Sequence, residues 1–254
     1  MSAQRELAER LGRLHRDPAI LVLVNAWDVA SARAVAEAPG CQAIATASHS
    51  IADAHGYEDG ENIPRQLMMA AIARITAAVD LPVTADLESG YGDVTSTVSA
   101  AVRAGAVGGN IEDGMRPLAD AVGAVEAAVA AGKDVGFLLN ARTDAYLRDW
   151  PGRSSTAAVL REAVRRGIAF LEAGADCIFV PGCRARDDIE ELAAAFGPGR
   201  LSLLGVPGQL SPEELEALGV ARLSYGPFPQ RWALDALADR ASALLRRREA
   251  GCDS

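Results

Sequence analysis

The sequence predicts an α/β fold, a single (β/α)8 barrel domain that spans residues 1–254. Three observations predict it: a length that suits one such barrel, eight short apolar runs, and helical segments between them. Runs this short are typical of strands in a parallel sheet that helices cover on both faces. The eight runs are residues 20–24, 43–46, 83–86, 108–112, 135–140, 177–180, 201–204 and 221–224.

The helical segments are rich in alanine and have the spacing of helices. Gly105, Gly174 and Gly219 each stand where such a segment stops before the next run, as glycine does at helix ends. Ser211 followed by Pro212 is a typical helix start. The predicted helices are residues 65–79, 95–104, 119–131, 156–173 and 212–218, with an extra amphipathic helix at residues 2–15 before the barrel.

An open doubly wound sheet is the alternative arrangement for alternating strands and helices. That fold places a glycine-rich turn after its first strand. Here the first run is followed by Asn25-Ala26-Trp27-Asp28, and the sequence holds neither a G-x-G-x-x-G motif nor a P-loop. The missing glycine-rich turn favours the closed barrel, and the absence of a linker or low-complexity stretch favours a single domain.

Composition and charge exclude several classes of function. The net charge is −9 and Lys133 is the one lysine, which disfavours nucleic-acid binding. No apolar run reaches the roughly 18 residues of a membrane span, and the N-terminus lacks a signal-peptide core, so we expect a cytoplasmic protein without membrane association. The four cysteines form no C-x-x-C pair, which disfavours zinc and disulfide frameworks.

Acidic side chains follow two neighbouring predicted strands, at the end of the barrel that carries the active site in this fold. Asp86 and Glu88 are two residues apart, so in an extended segment they point to the same side. Glu112 lies at the end of the next predicted strand. Carboxylates without a His or Cys cluster favour a hard cation, so the sequence predicts Mg²⁺, with Mn²⁺ as the alternative ion. The competing interpretation is that these acids cap helices or pair with arginines.

Arg142 follows the fifth run and is the candidate partner for an anionic group of a substrate. A guanidinium makes a forked contact with a carboxylate or a phosphate. The competing role of Arg142 is a structural salt bridge to Asp144 or Glu112. Asn140 ends the same run and is a further candidate for substrate binding.

Together these residues resemble the isocitrate lyase and phosphoenolpyruvate mutase superfamily over nearly the whole chain. The resemblance implies a barrel in which Mg²⁺ holds a 2-oxo acid or its enolate, and a homo-oligomer, a dimer or homotetramer, whose last helix often swaps between subunits. The matching segments are residues 25–32, 46–48, 56–60, 86–93, 110–114, 140–144, 174–176 and 179–182. The C-terminal helix, apolar at Trp232, Leu234, Leu237 and Leu244, is compatible with swapping and equally with ordinary packing.

The resemblance also implies roles for single residues. Asp86 corresponds to the direct Mg²⁺ ligand, and Asp59, Glu88 and Glu112 correspond to carboxylates that hold the ion through its water molecules. Glu88 stands where many relatives have aspartate.

The substrate contacts follow from the same likeness. Ser48 and the backbone N–H groups after it are implied to hold the substrate carboxylate, and Arg142 a second anionic group. Trp27 and Asp28 are implied to line the floor of the pocket.

The chain departs from the family after the fourth run. Isocitrate and methylisocitrate lyases carry a Lys-Lys-Cys-Gly-His segment there, whose cysteine is the general acid. Residues 113–120 contain no cysteine, lysine or histidine, which disfavours both activities. Phosphoenolpyruvate mutases have a long gating loop in that region, and these residues are too few to supply it.

We therefore expect a Mg²⁺-dependent lyase or decarboxylase that releases an enolate from a small 2-oxo or 2-hydroxy (di)carboxylic acid. Two alternatives stay open: a mutase that rearranges a phosphorus–carbon bond, and a catalytically reduced barrel that binds a metabolite. The general acid or base stays unassigned. Its candidates by position are Tyr91, Glu112, His49 and Cys183, although a buried thiol is the more typical role for Cys183.

Overall fold

The computed structural model describes residues 3–147 and 157–249, and its strands form one parallel sheet. The strands are β1 (Leu21–Leu23), β2 (Asn25–Ala26), β3 (Ile44–Thr46), β4 (Val83–Asp86), β5 (Gly108–Glu112), β6 (Leu138–Arg142), β7 (Cys177–Phe179), β8 (Leu201–Leu204) and β9 (Arg222–Ser224). Their order is β1-β9-β8-β7-β6-β5-β4-β3-β2.

The sheet closes into a barrel because β1 and β2 are successive pieces of one segment. β1 pairs with β9 and β2 pairs with β3, so this segment joins both edges. Asn25 supports the junction, since its Oδ1 accepts hydrogen bonds from the backbone N–H groups of Tyr225 and Gly226 at 2.8 and 2.9 Å. The predicted (β/α)8 barrel is confirmed, with its first strand split in two.

Helices cover the outside of the barrel and, except between β1 and β2, separate successive strands. They are α1 (Ala3–Arg16), α2 (Val29–Ala36), α3 (Ser48–Ala54), α4 (Arg65–Thr76), α5 (Val94–Arg103), α6 (Leu118–Gly132), α7 (Ala157–Glu172), α8 (Arg186–Phe196), α9 (Pro212–Ala217) and α10 (Phe228–Glu249). Ser211 caps α9 as predicted, because its side chain accepts a hydrogen bond from the backbone N–H of Glu214. Residues 2 and 156 of the predicted helices, and Cys252, lie outside the described residues.

The fifth predicted strand is displaced in the structure. Lys133–Val135 forms a short 3₁₀ turn that continues α6. Gly136 ends that turn with a φ of 73°, a conformation that glycine adopts without steric cost. The strand therefore begins at Leu138, and Arg142 belongs to the strand itself. The prediction of residues 135–140 was wrong at its start because the apolar Val135 continues a helix.

Helix α1, predicted as an extra helix, packs against the amino ends of the strands. Leu11 is fully buried there in a cluster with Leu21, Leu23 and Val107. His15, one turn further along α1, is also buried. The amino end of the barrel is therefore covered by apolar packing, and the candidate site lies at the opposite end.

Within residues 3–147 and 157–249, none of the helices combines the length and the apolar character that crossing a membrane requires.

Candidate active site

A pocket of about 150 Å³ lies at the carboxyl ends of the strands. Five of the predicted site residues line it together: Ser48, His49, Asp59, Asp86 and Arg142. Pockets for drug-sized ligands are typically about 300–1,000 Å³. The size of this pocket therefore suits a small acid.

Asp86 ends β4, and its carboxylate is held in place by the start of α3. Its Oδ2 accepts hydrogen bonds from the backbone N–H and the hydroxyl of Ser48, at 3.2 and 2.9 Å. The hydroxyl of Thr46 in turn accepts a hydrogen bond from the backbone N–H of Asp86 at 3.0 Å. Ser48 therefore contacts the predicted metal ligand directly.

Glu88 lies in the loop after β4 and is buried beside Tyr91. The Tyr91 hydroxyl donates a hydrogen bond to Oε1 of Glu88 at 2.9 Å. Burial raises the pKa of Glu88 to about 7; the bond from Tyr91 opposes the rise, while the charges of Asp86 and Asp59 add to it. Burial and the charge of Glu88 raise the pKa of Tyr91 as well, so its phenol is a donor here and is poorly suited to act as a base.

Arg142 forms two short ion pairs. Its Nη1 lies 2.7 Å from Oε2 of Glu112, and its Nε lies 2.7 Å from Oδ1 of Asp144. Burial raises the pKa of Glu112 to about 8 against the effect of Arg142, and Asp144 and Asp86 add to the rise. Arg142 therefore forms the structural salt bridges that were its competing role, to both Glu112 and Asp144. It also lines the pocket.

The turn after β5 is short and tied down. Oδ1 of Asp113 accepts hydrogen bonds from the backbone N–H groups of Met115 and Asp144 at 2.9 and 3.0 Å. Oδ2 of Asp113 forms a buried ion pair with Nη1 of Arg166 on α7 at 3.1 Å. Since α6 begins at Leu118, this turn contains no long loop that could cover the pocket.

The two remaining acid or base candidates differ in their surroundings. His49 lines the pocket, and its Nε2 lies 3.4 Å from Nη2 of Arg231 on α10. Cys183 is buried, and burial raises the pKa of its thiol to about 12, with the charge of Asp188 adding to the rise. A thiol with so high a pKa is a poor proton donor at neutral pH, as expected for a structural cysteine.

Three predicted substrate contacts lie away from the pocket wall. Trp27 and Asp28 line a separate surface depression. The carboxylate of Asp28 caps α2 by accepting a hydrogen bond from the backbone N–H of Ser31 at 2.7 Å. Asn140 is buried, and its Nδ2 donates to Oδ1 of Asn110 at 2.7 Å. Asn110 lines the pocket, so Asn140 lies behind the pocket wall and contacts it through Asn110.

Sequence reasoning missed Glu61, which contacts the loop after β4, and Arg231, which contacts His49. Glu61 directly follows the matched segment 56–60, and this position is the one signal that could have drawn attention to it. Arg231 lies 182 residues from His49 in the chain, so no local pattern connects them.

The donor groups at the pocket fit a hydrated divalent cation. Across the two described ranges, no three His, Cys, Asp or Glu side chains form a group that could hold a metal ion. Asp86, Glu88 and Glu112 therefore converge more loosely than direct ligation by all three would require. Mg²⁺ commonly keeps several water molecules and binds one or two carboxylates, and every charged donor here is an oxygen. Burial is the main cause of the raised pKa of Glu88, and the charges of Asp86 and Asp59 add to it; a cation would offset all of these effects.

The fold is a barrel whose carboxyl-end pocket is lined by carboxylates and an arginine, and comparison with known proteins identifies its family. Residues 11–245 match the family of phosphoenolpyruvate phosphomutase, so the chain belongs to that family, within the isocitrate lyase and phosphoenolpyruvate mutase superfamily. The crystal structure of a proposed phosphonomutase from Burkholderia cenocepacia J2315 superposes with a TM-score of 0.87 and 40% identity, covering 93% of this chain and 99% of that one.

Three relatives are similar over most of the chain. An uncharacterized protein of Mycobacterium tuberculosis is 35% identical over 91% of this chain and 87% of its own length. Phosphoenolpyruvate phosphomutase of Streptomyces hygroscopicus is 27% identical over 92% and 79%. The 2,3-dimethylmalate lyase of Eubacterium barkeri is 27% identical over 93% and 86%. Superfamily members are thus enzymes of more than one reaction type.

Proposed function

We propose that this protein is a Mg²⁺-dependent carbon–carbon lyase or decarboxylase that acts on a small 2-oxo or 2-hydroxy (di)carboxylic acid through an enolate. The observation that carries the proposal is the pocket of about 150 Å³, whose wall combines Asp59 and Asp86 with Arg142. Acidic oxygens bind a cation and a guanidinium binds a carboxylate, and the enolate of an organic acid requires both.

In this proposal Asp86 would bind the ion directly, and Asp59, Glu88 and Glu112 would hold it through water molecules. When bound, Mg²⁺ supplies positive charge that stabilises the oxygen of the enolate. Mn²⁺ has the same preference for oxygen ligands and would substitute for it.

The chain itself orients the substrate. Ser48 begins α3, so the N–H groups after it can hold a substrate carboxylate next to the ion. Its hydroxyl donates to Asp86 in this structure and would turn to the substrate once the ion occupies that carboxylate. Arg142 is fixed by Glu112 and Asp144, which limits the orientations of its guanidinium and prepares it for a second anionic group. His49 and Glu112 are the proposed proton-transfer residues, because His49 lines the pocket and Glu112 is ion-paired with Arg142, which lines it too.

The turn after β5 favours a lyase or decarboxylase over a mutase. Asp113 ties this short turn to α7 and to the segment after β6. A reaction that must shield a transferred phosphorus group from water needs a cover over the site. Phosphorus–carbon rearrangement therefore remains an outcome of the test below and is not the proposal.

The test is proton and phosphorus NMR of the purified protein with Mg²⁺ and a mixture of oxaloacetate, substituted malates, phosphoenolpyruvate and phosphonopyruvate. We expect pyruvate or a related 2-oxo acid to form from an organic acid, and a chelator to stop it. Interconversion of phosphorus compounds would replace the proposal with the mutase. Mg²⁺-dependent oxalate binding without turnover of any acid would favour a binding barrel, since oxalate mimics an enolate of this kind.

We also propose that the protein is a homo-oligomer in which a second copy covers α10. The side chains of Leu234 and Leu237 on this helix are 49% and 64% exposed, and those of Leu244 and Leu245 are 54% and 64% exposed. Leu237 and Leu244 are seven residues apart, so they lie on one face of the helix. Several large apolar side chains exposed along one helix mark an interaction surface.

Light scattering tests this assembly. We expect a dimer or tetramer for the unmodified chain, and dissociation or weaker association for Leu237→Glu. Asp239→Lys is the matched control, because residue 239 is exposed on another face of α10. A monomeric unmodified protein, or equal effects of both substitutions, would contradict the assembly.

A further inference from the structure

The side chain of Glu61 attaches the loop between α3 and α4 to the loop after β4. Its Oε1 accepts three hydrogen bonds: from the backbone N–H of Ser89 at 3.1 Å, the hydroxyl of Ser89 at 2.7 Å, and the backbone N–H of Tyr91 at 2.6 Å. Three donors that converge on one carboxylate oxygen form a strong and directional attachment.

The backbone of Glu61 makes a second attachment in the opposite direction. Its N–H donates a hydrogen bond to Oε2 of Glu88 at 2.5 Å. The other oxygen of Glu88, Oε1, accepts the bond from the Tyr91 hydroxyl. Both oxygens of Glu88 are therefore oriented, one by the backbone of Glu61 and one by a residue whose own backbone Glu61 holds.

Asp59 belongs to the same loop as Glu61. Asp59 is two residues before Glu61 on the same short loop and lines the pocket. The loop is further restrained by the side chain of Asn62, whose Nδ2 donates to the backbone carbonyl of Asp59 at 2.8 Å. Glu61 thus joins the segment that carries Asp59 to the segment that carries Glu88.

The backbone at these contacts adopts an uncommon conformation. Among the described residues, the non-glycine residues with positive φ are Glu61 at 63°, Glu88 at 52°, Tyr91 at 52° and Met115 at 55°. Three of these four are the partners in this attachment. Such conformations persist where surrounding contacts over-determine them, and they concentrate at functional sites.

We infer that Glu61 is a positioning residue that fixes the carboxylates of Asp59 and Glu88 relative to each other for the divalent cation. The inference rests on the proposed function, because it assigns Glu61 to the same metal site. Glu61 acts through hydrogen bonds to Ser89 and Tyr91 and not as a ligand. A glutamine at position 61 can still accept hydrogen bonds through its amide oxygen, whereas an alanine cannot.

The test compares three variants of the full chain: Glu61→Ala, Glu61→Gln and the control Glu58→Ala. Glu58 is an exposed acid of the same loop, so its removal changes the charge without breaking the attachment. Mn²⁺ affinity is measured by electron paramagnetic resonance without substrate. We expect about 10-fold to 100-fold weaker binding for Glu61→Ala, as when groups that orient metal ligands are removed. We expect affinity near that of the unmodified protein for Glu61→Gln and Glu58→Ala.

Hydrogen exchange of the metal-free protein provides the second readout. We expect the amides of Ser89 and Tyr91 to exchange faster in Glu61→Ala than in Glu58→Ala. If the unmodified protein binds no Mn²⁺, the metal site fails, and this comparison still tests the attachment. Unchanged exchange in Glu61→Ala would overturn the inference. Equal losses of Mn²⁺ affinity in Glu61→Ala and Glu61→Gln would overturn it too, since charge and not position would then be the cause.

Discussion

The two ends of the barrel both bury ionisable groups, but they do so in different surroundings. At the carboxyl end, burial raises the pKa of Glu112 to about 8 beside a pocket lined by Asp86 and Arg142. At the amino end, burial lowers the pKa of His15 to about 3, and the charges of Arg222 and Arg16 add to the shift.

The two ends differ in what can offset the free-energy cost of burying an ionisable group. In the described part of the chain, neither ring nitrogen of His15 has a hydrogen-bond partner, and Leu11 on the same helix packs among apolar strand residues. The carboxyl end instead opens into a pocket that a cation can enter. A perturbed pKa therefore marks a candidate site only where accessible space and converging oxygens accompany it.

The largest expected effect is at the carboxyl end. Asp86→Asn should abolish Mg²⁺-dependent oxalate binding, because an amide is a weaker ligand than a carboxylate for a hard cation. The amide oxygen can still accept the hydrogen bonds from Ser48, so the metal-free melting temperature should stay nearly unchanged. Calorimetric titration and thermal unfolding in chelator measure the two quantities. A large drop in the metal-free melting temperature would make Asp86 a structural residue.

A substitution at the amino end, Leu11→Ala, should lower stability and leave oxalate binding unchanged. Leu11 is fully buried, and Leu→Ala substitutions in cores lower the free energy of unfolding by about 2–5 kcal/mol. We expect that loss for Leu11→Ala in urea unfolding, with Mg²⁺-dependent oxalate affinity unchanged under conditions where the variant is folded. A weakened oxalate affinity in the folded variant would break the separation between the two ends.

Arg142→Lys tests the forked contact within the site. An ammonium cannot reproduce the planar guanidinium that Glu112 and Asp144 orient, so we expect about 10-fold to 100-fold weaker oxalate binding. Arg186→Lys is the matched control, because Arg186 pairs with Glu214 on the exposed surface, where ion pairs contribute little. Unchanged binding and turnover in Arg142→Lys would remove Arg142 from the anion site.

The smallest expected effects concern pH, and they have opposite signs at the two ends. The pKa of Glu88 is raised from 4.5 to about 7, so the unfolded chain loses this proton at lower pH than the folded chain. Stability of the metal-free protein should fall as the pH rises between these values. The pKa of His15 is lowered from 6.5 to about 3, so stability should fall as the pH drops through that range.

Urea midpoints from pH 4 to pH 8 in chelator measure both slopes. Glu88→Gln should reduce the fall in stability between pH 4.5 and 7, although Glu112, whose pKa is also raised, keeps part of it. His15→Gln should reduce the opposite slope below pH 6.5. Added Mg²⁺ should also flatten the alkaline side, because it favours the ionised carboxylates. A single slope that neither substitution changes would contradict the assignment of the two groups.

Much of the architecture was predictable because the spacing of apolar residues that marks a strand or a helix is visible within one short segment. The eight runs and the glycine-marked helix ends lie close to where the structure has them. Helices α2, α3 and α8 were not predicted. The seven or eight residues of α2 and α3 give too little periodicity. The start of β6 was also mispredicted for a local reason. The residues around Val135 do not distinguish a last helical turn from a strand.

The sequence by itself determined three things: the barrel, the end of the barrel that carries the candidate site, and the oxygen-rich character of that site. These depend on local apolar patterns and on the residue types at strand ends. Only the tertiary structure decided which of those residues share the pocket. It moved Trp27 and Asp28 to another depression, paired Arg142 with both of its acidic neighbours, and brought Glu61 onto the loop after β4. Such contacts depend on how separate loops pack after the barrel closes. No periodicity along the chain encodes which residues of different loops come close together.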